Sequence, residues 1–107
     1  MKKIDKLLFG TPGIPQTTKP YNTIEGIGQV RKLGLEAMEL EFVHSINISQ
    51  EKAPLVKEAS KKHDVVLTCH GEYFINLNSA EQKKIDASKN RVYNAAKYHK
   101  TDIVVEV

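Results

Sequence analysis

Apolar residues recur along the chain at two different spacings, and segments with one spacing are followed by segments with the other. One spacing is typical of strands and the other is typical of helices. Residues 37–43 alternate strictly, so Met38, Leu40 and Phe42 share one face and two glutamates share the other. Short apolar runs also predict strands at residues 6–10, 65–70 and 102–107. Apolar residues three and four positions apart predict helices over residues 22–34, 49–63 and 79–99.

Each predicted helix begins at a side chain that can accept a hydrogen bond from the first turn, namely Asn22, Ser49 and Ser79. Glu25 lies three residues after Asn22, and Gln82 lies three residues after Ser79, which is the spacing of a capping box. The first helix is expected to end at Gly34, because glycine adopts the left-handed conformation that closes many helices. These signals place three helices between four strands.

The resulting order, β-α-β-α-β-α-β, predicts an α/β fold with a parallel sheet. Strands recur about every 30 residues, the length of one βα unit, and right-handed helical crossovers join parallel neighbours. Two architectures fit this order: half of a (β/α)8 TIM barrel, and a small open doubly wound sheet. Glu39 and Glu41 favour the half-barrel, because a central strand covered on both faces would be apolar throughout. Residues 1–107 are therefore expected to form a single domain, the amino-terminal half-barrel fragment of a longer TIM barrel.

Composition and charge are those of an ordinary soluble globular domain. The chain is 40% hydrophobic and 27% charged, and 16 basic residues are interleaved with 13 acidic ones to give a net charge of +3. Such a surface permits an acidic partner such as nucleic acid without requiring one. No apolar run approaches the roughly 18 residues of a membrane span, so no membrane association is expected. The single cysteine, Cys69, excludes an intrachain disulfide and favours a reducing, cytoplasmic location.

The candidate chemistry is concentrated at residues 68–79, where the third strand gives way to a loop. In parallel α/β sheets, the carboxyl ends of strands are where ligands and catalytic groups collect. His70 lies at this end and would emerge at the barrel rim alongside Glu41, which suits a metal ligand beside a catalytic carboxylate. Two alternatives stay open. In the first, His70 forms a hydrogen bond with the backbone at the end of the strand. In the second, Glu39 and Glu41 form salt bridges with residues of a neighbouring strand.

Two adjacent aromatic residues follow His70 in the same loop. Exposed rings of Tyr73 and Phe74 would stack on bases or insert into a duplex. The alternative is that Phe74 and the apolar residues after it close the top of the barrel or pack against the third helix. Cys69 points away from His70 in an extended strand, so it is expected to be a buried apolar residue rather than a nucleophile.

Three segments of the chain resemble the amino-terminal part of endonuclease IV-type proteins, which are xylose isomerase-like TIM barrels. The segments are residues 9–15 (FGTPGIP), 34–42 (GLEAMELEF) and 70–77 (HGEYFINL). The resemblance implies a metal-dependent AP endonuclease, a hydrolase of DNA repair that cleaves DNA beside abasic sites using zinc or another divalent metal. It also implies that His70 is a metal ligand, and that Tyr73 and Phe74 are DNA-binding residues that press into the minor groove.

Two departures from the family pattern bear on activity. Gly71 and Glu72 stand where the family has a small residue followed by proline or serine. The fourth strand, which reads VVEV at residues 104–107, lacks the family's second ligand histidine, and strands five to eight with the remaining ligands are absent from the sequence. We therefore expect the parent to be an enzyme and the fragment alone to be inactive.

Two other functions are compatible with the same residues. One is a xylose isomerase-like sugar isomerase or epimerase half-barrel, which uses a divalent metal and inward carboxylates such as Glu41. The other is a non-catalytic half-barrel that forms a homodimer through its open strand edges, because unpaired edges invite pairing. DNA with abasic sites, a sugar and a second copy of the chain are thus the three predicted partners.

Overall fold

Four parallel strands alternate with three helices in the computed structural model, which describes residues 4–42, 48–99 and 104–106. The strands are β1 (Gly10–Pro12), β2 (Ala37–Glu41), β3 (Val66–His70) and β4 (Val104–Glu106). The helices are α1 (Thr23–Lys32), α2 (Ala53–His63) and α3 (Gln82–His99). The predicted order of elements is confirmed. In these residue ranges, no helix has both the length and the apolar character needed to cross a membrane.

The strands follow one another across the sheet in chain order, β1-β2-β3-β4, and every neighbouring pair is parallel. Right-handed crossovers between consecutive parallel strands place their helices on one face of the sheet. In agreement, α1 contacts α2 and α2 contacts α3. A doubly wound sheet would instead reverse its strand order and carry helices on both faces. The α/β half-barrel prediction is therefore confirmed over the doubly wound alternative.

The two faces of the sheet differ in burial. Met38, Leu40, Leu67 and Cys69 are at most 5% exposed, whereas the residues that alternate with them in β2 and β3 are only half-buried. The buried face shares one core with apolar side chains of α1 and α2, among them Ile27, Val30, Val56 and Ala59. Removing such side chains from water stabilises the fold by roughly 1.5–3 kcal/mol each. The expectation that Cys69 is a core residue is confirmed.

The ends of α1 follow the sequence signals closely. Asn22 has extended backbone angles, and its Oδ1 accepts a hydrogen bond from the Glu25 amide at 2.9 Å. At the other end, the Gly34 amide donates to the Arg31 carbonyl, and Gly34 has a φ of +81°. This positive φ favours a residue without a Cβ, so the predicted glycine at the end of the helix is confirmed.

The first strand lies further along the chain than its apolar pattern predicts. Residues 6–10 are the expected strand, but the paired residues are Gly10–Pro12, so the predicted bounds are wrong. Leu7 and Phe9, whose side chains suggested burial, are 76% and 67% exposed. A Cβ at Gly10 would lie 2.0 Å from the carbonyl oxygen of Ala37. The strand therefore begins where only glycine allows close approach to β2.

Two helices begin later than their capping signals predict. The Ser49 carbonyl accepts hydrogen bonds from the amides of Lys52 and Ala53, which forms a turn before α2. Ser79 Oγ accepts from the Glu81 amide at 3.1 Å, and α3 begins one residue later. Serine side chains bond to nearby backbone groups in turns as well as in caps, so the pattern alone does not distinguish them. The predicted strand residues 43, 102, 103 and 107 lie outside the described residues.

Truncation of Ile27 is expected to destabilise the fold strongly. The side chain has no exposed surface, and Ile27→Ala would both lose burial and leave a cavity, lowering the free energy of unfolding by about 2–5 kcal/mol. Urea denaturation followed by circular dichroism measures this change. The matched control is Leu55→Ala on α2, where the side chain is 50% exposed and a change below about 0.5 kcal/mol is expected. Equal effects of the two variants would contradict the core assignment.

Removal of the Asn22 cap is expected to lower the free energy of unfolding by about 1 kcal/mol. Asn22→Ala leaves the Glu25 amide without its side-chain acceptor. Asn90→Ala, at an exposed position inside α3, is the control and should change stability by no more than about 0.5 kcal/mol. The same denaturation measurement tests both variants, and an unchanged midpoint for Asn22→Ala would rule out the cap.

Candidate functional site

The carboxyl ends of β2 and β3 bring Glu41 and His70 to the same level of the sheet. The two residues are paired in register, and the Phe42 amide donates to the His70 carbonyl at 3.0 Å. Paired residues on parallel strands about 4.8 Å apart present their side chains on the same face. Both residues are half-buried and lie on the face opposite the core. Glu39 pairs with Thr68 one layer further in.

One nitrogen of the His70 ring is engaged by the backbone. His70 Nδ1 lies 2.8 Å from the carbonyl oxygen of Gly71. A carbonyl only accepts hydrogen bonds, so Nδ1 carries the proton and Nε2 of the neutral ring is an acceptor. The backbone-bonded alternative predicted from the sequence is thus observed, yet it is compatible with a ligand role. Fixing one ring nitrogen by a backbone carbonyl is how proteins orient the other nitrogen toward a metal or substrate.

A cavity of about 600 Å³ lies between β2 and the loop that follows β1. Its lining includes Glu39 and Glu41 of β2 and the polar side chains of Gln16 and Tyr21 in the loop. Thr11 of β1, Thr23 at the start of α1 and the apolar residues Ile14, Met38 and Leu40 also line it. The Gly13 amide donates to the Glu39 carbonyl at 2.9 Å and so attaches the loop to β2. Gly13 has a φ of +97°, a conformation that side-chain-bearing residues rarely adopt. The length of this loop in the sequence is the signal that could have identified its polar residues as site residues.

The loop after β3 presents two exposed aromatic rings. Tyr73 and Phe74 are 65% and 63% exposed, so Phe74 does not close the barrel in the described structure. The Tyr73 ring meets the His70 ring edge to face, with centroids 5.9 Å apart. Arg91 of α3 lies over the Phe74 ring, with 5.8 Å between its guanidinium carbon and the ring centroid. Arg91 is a site neighbour that the sequence did not indicate, because it lies far along the chain with no motif around it.

The described residues do not form a metal site by themselves. Among residues 4–42, 48–99 and 104–106, no three His, Cys, Asp or Glu side chains lie close enough together to hold an ion. His70 and Glu41 are two donors at the rim, whereas a catalytic zinc site has three protein ligands and an open position. The donor set in this part of the chain is therefore too small for the divalent metal that the fold family implies.

A second cavity, of about 820 Å³, lies between α1 and α2. It is larger than the first, but its lining consists mostly of helix side chains remote from Glu41 and His70, such as Gln29, Leu55 and Lys62. Parallel α/β proteins place their chemistry at the carboxyl ends of the strands rather than between outer helices. We therefore take the smaller cavity beside Glu41 as the candidate site.

Comparison with known proteins places the fold. No family model matches the chain. It is 35% identical over 91 residues to an uncharacterized protein of Methanocaldococcus jannaschii, an alignment that covers 85% of this chain and 32% of that protein. The structure resembles a crystal structure of D-psicose 3-epimerase in the presence of D-fructose, with a TM-score of 0.55 and 23% identity. That likeness covers 78% of this chain and 30% of the epimerase chain.

The chain thus spans about a third of the length of each of these two relatives. Neither relative is named as a nuclease, so they do not support the resemblance to endonuclease IV. The structural likeness does support the broader prediction of a barrel. The order of parallel strands and the structural likeness agree on the architecture. The chain has the fold of half of a TIM barrel.

Proposed function

We propose that the chain forms the amino-terminal half of a barrel enzyme that isomerises or epimerises a small sugar. The observation that carries this proposal is the register of Glu41 with His70 at the carboxyl rim of a half-barrel that resembles D-psicose 3-epimerase. A 3-epimerase of a ketose such as D-psicose inverts the carbon next to the carbonyl. A xylose isomerase-like sugar enzyme was one of the functions compatible with the sequence, and the comparisons favour it over DNA cleavage.

Inversion next to a carbonyl has a simple chemical requirement. A base removes the proton from the carbon, the electron pair moves onto the carbonyl oxygen to give an enediolate, and an acid returns a proton to the opposite face. A half-buried carboxylate held at the rim suits the base, so Glu41 takes this role. His70 Nε2 accepts a hydrogen bond from a substrate hydroxyl, because the Gly71 carbonyl holds the proton on Nδ1. A second acid–base group must face the other side of the sugar carbon.

The cavity beside Glu41 is suited to a small polyol. Its volume of about 600 Å³ is within the roughly 300–1,000 Å³ range of small-molecule sites. Hydroxyl and amide groups of Thr11, Gln16 and Tyr21 line it, and such groups exchange hydrogen bonds with sugar hydroxyls. A divalent metal, if the complete protein binds one, needs donors beyond His70 and Glu41, so no step is assigned to it.

Replacement of Glu41 tests the assigned base. In the complete gene product supplied with D-fructose or D-psicose in deuterated water, we expect the protein to exchange the proton next to the carbonyl. Glu41→Gln keeps the shape of the side chain but removes its basicity, and should lower kcat by about 10²–10⁴-fold. Solvent deuterium incorporation, followed by NMR of the sugar, is the measurement.

The matched control is Glu58→Gln, which changes an exposed carboxylate on the outer helix α2. It should retain the rate of the unmodified protein. Wild-type rates in Glu41→Gln would remove Glu41 as the base. Absence of exchange in the unmodified protein with any ketohexose would reject the sugar function as a whole.

A second candidate function, a metal-dependent AP endonuclease, is favoured by one specific observation. Tyr73 and Phe74 expose most of their surface directly beside His70. Exposed rings at a site rim are suited to unstacked bases or to a widened minor groove. The resemblance of residues 70–77 to endonuclease IV-type proteins motivates the same assignment, with His70 as a zinc ligand and Tyr73 and Phe74 as DNA contacts.

Cleavage of abasic-site DNA tests this second function. If it is correct, the complete gene product should nick a duplex that carries one abasic site, and EDTA should abolish nicking. Tyr73→Ala should weaken binding of that duplex by about 1–3 kcal/mol, through loss of one stacked ring. Tyr93→Ala, which removes an equally exposed ring on α3, should leave binding unchanged. Nicking that is absent, or insensitive to EDTA, would reject the nuclease function.

A further inference from the structure

The loop between β3 and α3 is attached to the helix at several points. The Ile75 amide donates to the Glu72 carbonyl at 3.1 Å and forms a tight turn. The Asn76 amide donates to Ser88 Oγ at 2.8 Å, and Ser88 is only 1% exposed. Arg91 Nε lies 3.3 Å from a carboxylate oxygen of Glu72. The turn is therefore connected to α3 both by its backbone and by an ion pair.

Arg91 contacts both sides of this turn. Its guanidinium pairs with Glu72 and also lies over the ring of Phe74, two residues further on. The Glu72 side chain is 18% exposed and that of Arg91 is 37% exposed, so the ion pair is partly withdrawn from water. Partial desolvation strengthens both a charge pair and a cation–π contact relative to their fully exposed counterparts. Arg91 thus restrains the part of the turn from Glu72 to Phe74.

The turn carries the rings of Tyr73 and Phe74, which we call the aromatic ledge. Both rings remain about two-thirds exposed. The Tyr73 ring also meets the His70 ring edge to face, so the ledge lies beside the residue that pairs in register with Glu41 at the rim. Large apolar rings that are held in solvent at the edge of a site are typical of a surface that packs against a ligand.

We propose that Arg91 is a positioning residue: through Glu72 and Phe74 it holds the aromatic ledge beside His70, where the ledge packs against the carbon face of the substrate. That the substrate is a sugar rests on the proposed function. The apolar C–H face of a sugar suits an aromatic ring, while its hydroxyls face the polar side chains of Thr11, Gln16 and Glu41 in the neighbouring cavity. Arg91 itself does not contact the ligand. Arg91 affects substrate binding only because it holds the loop in this conformation.

Amide hydrogen exchange of the 107-residue chain, measured by NMR, tests the restraint directly. Arg91→Met keeps the length of the side chain but removes the ion pair and the charge over the ring. The amides of Ile75 and Asn76 should exchange about five to ten times faster, while those of β2 and β3 do not change. Glu72→Gln should act in the same direction without altering the helix. Arg91→Lys should restore part of the protection, because lysine keeps the charge but lacks the planar guanidinium.

Lys89→Met is the matched control, since it removes an exposed charge from the same helix. It should leave the exchange of the loop unchanged. Unaltered exchange at Ile75 and Asn76 in both Arg91→Met and Glu72→Gln would overturn the proposal, as would equal acceleration in Lys89→Met. The contact between Arg91 and the Phe74 ring can be tested separately by NMR. Phe74→Leu should change the chemical shift of Arg91 Hε, because the ring current of Phe74 is lost. An unmoved resonance would overturn the contact.

Kinetics of the complete gene product separates this inference from the proposed function. With D-fructose as the probe, Arg91→Met should raise KM about fivefold and change kcat less than twofold, because the ledge contributes to binding rather than to proton transfer. An unchanged KM in a variant whose loop exchanges faster would overturn the substrate role of the ledge. If the unmodified protein turns over no ketohexose, the sugar function fails, and the exchange experiment still decides whether Arg91 positions the ledge.

Discussion

Parallel pairing of β2 with β3 is the constraint on which the rest of the structure depends. The same register that places Leu40 beside Cys69 on the buried face places Glu41 beside His70 on the other. Side chains of paired strands alternate between the two faces of the sheet. Burial of the side chains on one face therefore directs the remaining side chains to the opposite face. The apolar core therefore has two effects: it stabilises the half-barrel, and it directs Glu41 and His70 to the opposite face of the sheet.

The two loops that complete the site are held in different ways. The loop after β1 is attached to β2 by the amide of Gly13 on the carbonyl of Glu39, and to α1 by a hydrogen bond that Gln29 Nε2 donates to Thr17 Oγ1. The loop after β3 is attached to α3 by the Asn76 amide on Ser88 Oγ and by the ion pair of Glu72 with Arg91. Barrel enzymes of different chemistry share strands and differ in such loops. The first loop offers polar groups, and the second offers aromatic surface.

Features set by neighbouring residues could be predicted from the sequence, and features set by distant contacts could not. The alternation in residues 37–43 and the cap at Asn22 depend on local geometry, and both are observed. The rim position of Glu41 and His70 followed from strand ends alone. The start of β1 was mispredicted, because it depends on how closely Gly10 approaches Ala37 of another strand. No local pattern indicated Arg91, since its partners lie in the loop before the helix.

The alternation of β3 also bears on how the chain tolerates changes in length. Cys69 and His70 are adjacent, one in the core and the other in the site. Insertion or deletion of a single residue within β3 would exchange their faces, exposing a thiol at the rim and burying an imidazole against Leu67 and its neighbours. Insertion or deletion of two residues would instead keep each side chain on its face of the sheet and move it by one layer along the strand. Evolution of this segment should therefore tolerate substitutions better than insertions or deletions of an odd number of residues.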